Sequence, residues 1–198
     1  DLELDPHFAV TLPEYHLFSA LFEGLFVYDP ETGKGNPGLA RQWSTDETGT
    51  VYTFELRRTN WSDGEPITAD DVTESWLRAL SPETDSPHSW LLETYIAGAR
   101  GYTRGENDRD EVGIKTVDRL KFQLRLVRPI PFLEQLLPHQ AFAVLPMHLV
   151  DRYGENWSDP EHLACNGPFL IEQYVSGERI SCKANGSYWN REAVFLER

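Results

Sequence analysis

Residues 52–76 restrict the possible folds more than any other stretch of this chain. Tyr52, Phe54 and Leu56 alternate with Thr53, Glu55 and Arg57, the period of a strand with one buried face. Trp61-Ser62-Asp63-Gly64 follows as turn chemistry, because glycine takes positive φ freely and an aspartate carboxylate bonds neighbouring main chain. Thr68 with Asp71 three residues on has the spacing of a capping box. Ala69, Val72, Trp76 and Leu80 then recur at helical intervals, so a helix is expected over 69–80. Trp43, Trp61 and Trp76 belong to this unit and read as core, since large aromatic side chains dominate burial.

The flanking sequence extends the same α+β pattern. Leu17, Phe18, Leu21, Phe22 and Leu25 form a stripe behind Pro13, which predicts a helix over 13–27. Asp29-Pro30 with Thr32-Gly33 reads as a turn, and Ser81-Pro82 stops the 69–80 helix. Residues 81–111 read as irregular, broken by Pro87, Gly98, Gly101 and Gly105, with one short helix around Leu91, Leu92, Tyr95 and Ile96. Residues 119–127 alternate cleanly and predict a strand with a solvated face. Short helices are expected at Phe132–Leu137 and at Pro146–Tyr153, the latter closed by Gly154. Residues 167–174 and 179–184 form a hairpin turning at Ser176-Gly177, with Cys182 opposite Ile171 and Cys165 beyond the register. That geometry argues against a Cys165–Cys182 disulfide.

Charge and motif content narrow the chemistry. A formal net charge of −14 disfavours phosphate backbones and anionic membranes as partners, and would favour cationic over anionic peptides only through the long-range field. No stretch approaches the roughly 18–20 apolar residues of a membrane span. The six histidines show no i,i+4 pair and no Cys-x-x-Cys companion, so no metal site is expected. No Gly-x-Ser-x-Gly elbow and no phosphate-binding glycine loop occurs, and neither an enzyme nor a cofactor is predicted. The chain begins at Asp1 and its only methionine is Met147, so a removed leader or excision from a longer parent is expected.

The wording of the central unit, with Leu4-Asp5-Pro6-His7, Leu21-Phe22-Glu23-Gly24-Leu25, Pro37-Gly38-Leu39-Ala40, Ser86-Pro87, Val112-Gly113-Ile114, Asn166-Gly167-Pro168-Phe169 and Tyr188-Trp189 in that order, closely resembles the bacterial extracellular solute-binding proteins of the oligopeptide-binding family. The resemblance implies a bilobal fold of the periplasmic-binding-protein type II class. The first lobe would comprise 1–23 and 147–198, with a small domain inserted at 24–146, and the second lobe would be absent. It also implies a monomeric, non-enzymatic protein, periplasmic or extracellular and in some members lipid-anchored. Such a protein captures peptide and delivers it to an ABC transporter permease.

Site residues follow from the same resemblance. An extended segment behind the Leu-Asp-Pro motif, here Val10, Thr11 and Leu12, would pair with the ligand main chain, a mode that binds any peptide through groups every peptide has. His88, after the Ser-Pro pair, and His139, after a short helix, would line the cleft. The family's aspartate for the ligand's amino group belongs to the second lobe and has no counterpart here. Rival readings are binding of dipeptides, murein peptides, nickel or other small solutes on the same fold, or a peptide-sensing regulatory module. A hydrolase is disfavoured by the missing motifs.

Overall fold

A computed structural model of the chain describes residues 3–29 and 31–197. Pro30 of the expected turn lies outside the described residues, as do Asp1, Leu2 and Arg198 at the ends of the expected lobe pieces. In chain order the elements are α1 (Leu12–Leu21), β1 (Phe26–Tyr28), β2 (Gly35–Pro37), β3 (Ala40–Thr45), β4 (Val51–Leu56), α2 (Ala69–Leu80), α3 (Ser89–Tyr95) and α4 (Ala99–Thr103). They continue with β5 (Ile114–Asp118), β6 (Lys121–Arg125), α5 (Leu133–Leu136), α6 (Met147–Tyr153), β7 (Phe169–Val175) and β8 (Arg179–Ala184).

The central strand, turn and helix fold as read. β3, β4, β6 and β5 form an antiparallel sheet in that order. α2 begins where the capping box places it, with Asp71 Oδ2 accepting from the Thr68 N–H at 2.7 Å and the Thr68 hydroxyl at 3.0 Å. Its apolar face lies on the sheet. Trp76 meets Phe122 edge-on at 5.8 Å, and Phe122 stacks on Phe54 at 5.1 Å. The Trp76 indole N–H donates to the Phe142 carbonyl at 3.0 Å, so the one polar atom of this fully buried ring is satisfied. Trp61 is also buried, whereas Trp43 is half-buried and donates to Glu134.

Three expectations are corrected. The helix predicted over 13–27 ends at Leu21, and Phe26–Tyr28 is a strand paired with Gly35–Pro37. Phe22 is already extended, and the Gly24 and Leu25 carbonyls accept from Leu39 and Ala40, so sheet-like pairing captures the segment that continued the helical stripe. The 81–111 stretch holds a second helix, α4, entered through Gly98 at φ +76. Ile114–Asp118 is an edge strand that the reading left unassigned. The hairpin register stands as read, with Ile171 opposite Cys182, and both cysteines are free thiols.

Two buried polar knots tie distant stretches together. In the first, Asp5 accepts from Arg78 at 2.7 Å, from the Trp157 indole at 3.2 Å and from the His7 N–H at 2.9 Å. Arg78 also donates to His7 Nδ1 at 3.1 Å, and the Ser86 hydroxyl donates to the His7 carbonyl at 2.6 Å. Burial drives the His7 pKa down to about 4, the neighbouring Asp5 charge opposing and Arg78 reinforcing it. In the second knot, Glu23 accepts from the Tyr188 hydroxyl and, at 2.6 Å, from the Trp189 indole. Its backbone is bracketed by the Asn166 side chain, which accepts from the Glu23 N–H at 2.9 Å and donates to its carbonyl at 2.8 Å. Arg57 lies 3.8 Å over the Trp189 ring. Burial raises the Glu23 pKa to about 7, although the Tyr188 and Trp189 donors and the Arg57 charge all favour the carboxylate.

These knots set opposite pH dependences. Glu23, raised on folding from an ordinary 4.5, contributes stability fully below about 4.5 and loses it as pH rises through about 7. His7, depressed from 6.5, contributes fully above about 6.5 and loses it as pH falls through about 4. The stability cost of Glu23→Gln, measured by urea unfolding, should therefore shrink as pH rises from 5 to 8; a constant cost would show that Glu23 titrates normally. Gly167 gives a second test. A Cβ there would fall 2.6 Å from the Leu21 carbonyl carbon and 2.7 Å from its oxygen, both main-chain atoms of a rigid helix end. Gly167→Ala is expected to cost about 2–3 kcal/mol, and a loss under about 0.5 kcal/mol would contradict that contact.

Candidate functional site

The Asp5 knot fixes the chain just ahead of α1, and the residues between carry the candidate site. Thr11 caps α1 from an extended conformation, with Glu14 at the third helical position. Glu14 Oε2 accepts from the N–H groups of Val10 at 3.0 Å and Thr11 at 2.9 Å, while Oε1 accepts from Glu3 at 3.2 Å. Burial pushes the Glu14 pKa up, but the donors from Thr11, Val10 and Glu3 outweigh it and hold the carboxyl below its ordinary range. The extended segment is therefore shorter than the sequence suggested, because Leu12 is already helical, and the amide hydrogens of Val10 and Thr11 are committed within the chain. The side chains of Val10 and Leu12 nonetheless project outward, at 69% and 66% exposure.

The structure brings His88 and His139 to this segment from opposite ends of the central region. His88 precedes α3, and its Nε2 lies 2.5 Å from the Ala9 carbonyl. His139 follows α5, its Nδ1 accepting from the Ala141 N–H at 3.1 Å. That bond leaves the other ring nitrogen to carry the proton when the ring is neutral. The two rings meet edge-to-face at 5.5 Å, and burial together with the His88 charge lowers the His139 pKa. Gln140 completes the group: its Nε2 donates to the Ala9 carbonyl at 2.6 Å and sits 3.2 Å from His88 Nε2. Sequence reading missed Gln140. Its only signal was adjacency to His139, and a glutamine after a proline and a histidine carries no periodicity.

A cleft of about 390 Å³ lies between α1 and residues 137–143 and shares His139 and Gln140 with this group. Tyr15, Phe18, Phe26 and Tyr28 contribute to its wall, and among the described residues no Asp, Glu, Lys or Arg lines it. Two larger grooves, of about 1010 and 700 Å³, lie elsewhere; the first runs along the 58–67 turn, and the second, between α2 and β5, carries Asp70, Glu74, Arg109 and Lys115. Among the described residues no cluster of three His, Cys, Asp or Glu side chains could hold a metal ion, and no helix is long and apolar enough to cross a membrane.

Known proteins match this architecture throughout. The chain is 35% identical over 197 residues to the periplasmic oligopeptide-binding protein OppA of Escherichia coli, covering 98% of this chain and 36% of that protein. It is 34% identical to the periplasmic murein peptide-binding protein MppA and 32% identical to the probable deoxycholate-binding periplasmic protein YgiS, both of Escherichia coli. Relatives with different named ligands thus match almost equally well, and the chain spans little more than a third of their length. Among solved structures, the oligopeptide-binding protein OppAIV of Borrelia burgdorferi superposes with a TM-score of 0.94 at 36% identity, over 98% of this chain and 39% of its own. The model of the bacterial extracellular solute-binding proteins, family 5 Middle, matches residues 34–198, more than half of the sequence, and the chain belongs to that family.

Proposed function

We propose that this chain is the first-lobe part of an extracytoplasmic, non-enzymatic protein that captures oligopeptides and passes them to an ABC transporter permease. Residues 1–23 and 147–198 would form the lobe and 24–146 an inserted small domain. Family membership and the relatives named for oligopeptides and murein peptides support this reading. The observation that carries it is the Ala9–Leu12 stretch: main chain held in place by His88 and Gln140, with Val10 and Leu12 facing outward.

The chemistry suits a general peptide receptor. Strand-like pairing uses only ligand groups that every peptide has. Because the Val10 and Thr11 amides are bound to Glu14 and the Thr11 carbonyl accepts from the Tyr15 N–H, pairing would run from a ligand N–H donor to the Val10 carbonyl. Clamping the Ala9 carbonyl with two side-chain donors holds the neighbouring peptide planes before ligand arrives, which lowers the ordering cost of binding. Closure of a second lobe over this face, a hinge motion, would then bury most of the ligand.

Calorimetry with a library of tri- to pentapeptides should detect binding to the complete gene product, and weaker binding, short of about 1 μM or −8 kcal/mol, to residues 1–198 alone. In the complete product, His88→Ala and Gln140→Ala should each lower affinity by about 5- to 30-fold, or about 1–2 kcal/mol, with thermal midpoints unchanged. His139→Ala should have a smaller effect that varies with ligand. Unaltered affinity in all three well-folded variants would place the cleft elsewhere.

A further inference from the structure

The cleft between α1 and residues 137–143 is distinguished by what does not line it. Its wall is built from Phe18, Phe22, Phe26 and Phe142 with Tyr15 and Tyr28, and among the described residues no Asp, Glu, Lys or Arg contributes. Two histidines, His16 and His139, are among its lining residues. His139 is held toward its neutral form by burial and by His88. At about 390 Å³ the space is near the lower limit of ligand pockets, suited to one bulky group rather than to a whole oligopeptide. It is continuous with the candidate site, because His139 and Gln140 belong to both, and Gln140 holds the carbonyl of Ala9 next to Val10.

We propose that this cleft is a subsite for one large uncharged side chain of the peptide ligand, aromatic or branched aliphatic. The inference rests on the peptide-binding reading and adds a selectivity to it. A lysine or glutamate side chain placed here would leave water for a wall with no partner charge, which is costly. An aromatic ring would bury 150–250 Å² against rings already present. The chain's net charge of −14 pulls cationic peptides toward the surface, but that field is screened within about 8–10 Å in physiological salt. Long-range charge and local wall therefore favour different peptides, and the wall decides which are retained.

The test uses the complete gene product and tripeptides of alanine in which Leu, Phe, Trp, Lys or Glu replaces each position in turn, with free indole as a separate probe. Affinities are measured by calorimetry for the natural protein, for Ser19→Trp and for Tyr28→Ala. Ser19 lines the cleft from an exposed position on α1, so a tryptophan there fills the space without entering the core. Tyr28 is 53% exposed, and its removal strips one wall. At one position Phe and Trp should bind at least tenfold more tightly than Lys or Glu. Ser19→Trp should abolish that preference while changing trialanine affinity less than twofold, and Tyr28→Ala should reduce the preference at least threefold. Indole should bind the natural protein and not Ser19→Trp. Peptide binding without the aromatic preference, or a preference that survives Ser19→Trp, overturns the subsite. If no peptide binds but indole binding is lost in Ser19→Trp, the peptide reading falls and the apolar subsite stands. If neither peptide nor indole binds, both fall.

Discussion

A carboxylate buried against three distant stretches holds this structure together. Glu23, 2% exposed at the end of the first helical segment, meets Tyr188 and Trp189 through its side chain and Asn166 through its backbone. Arg57, stacked on Trp189, also donates to the Gly38 carbonyl at 2.6 Å and brings the start of the sheet into the same knot. Burying an acid without partners is prohibitive, so each donor is a condition on the position of the others. The close approach of Gly38 and Gly167 to neighbouring main chain belongs to the same constraint, since side chains at either position would hold the segments apart. Five of the sequence motifs thus converge on one point, although more than 160 residues separate Glu23 from Tyr188 and Trp189.

The candidate site depends on the other knot. Asp5 and Arg78 anchor the chain below His7, and Ser86 fastens the His7 carbonyl, so the main chain reaches Ala9 in a fixed path. Ser86 also accepts from the His88 N–H at 3.2 Å, which couples the loop carrying His88 to the same anchor. The site is therefore assembled from irregular backbone positioned by buried polar groups rather than from residues within regular helices or strands. Such an arrangement fixes the Val10–Leu12 stretch at the surface, its side chains outward and the Val10 and Thr11 amides already bound to Glu14.

Legibility of the fold tracked how many physical signals agreed. α2 was read to the residue because cap, apolar period and Ser-Pro stop all coincide. The β7–β8 register followed from alternation about one glycine turn, Gly177 standing at φ +68. The first helix was read too long because Phe22 and Leu25 continue a helical stripe, while Leu25 and Phe26 are both fully enclosed in a strand setting that periodicity cannot distinguish. α4 was missed because Ala99–Thr103 contains a glycine, and packing rather than propensity holds it: a Cβ at Gly101 would sit 2.4 Å from the Asn107 side chain. β5 was missed because only Ile114 of its residues is buried, as befits an edge strand.

What the sequence determined by itself was local and compositional: the strand–turn–helix unit, the hairpin register, the caps, and the family to which the motif wording points. Those features depend on residues within a few positions of one another, where spacing and side-chain chemistry act directly. Only the tertiary structure decided why Asp5, Glu23 and Asn166 matter, because their partners lie far along the chain. Only it brought His88, His139 and Gln140 to the Ala9 carbonyl, committed the Val10 and Thr11 amides to Glu14, and opened an uncharged cleft beside them. A site made of contacts across 52 to 131 residues leaves no periodic trace in the sequence, since burial and hydrogen bonding select its members only after the chain has folded.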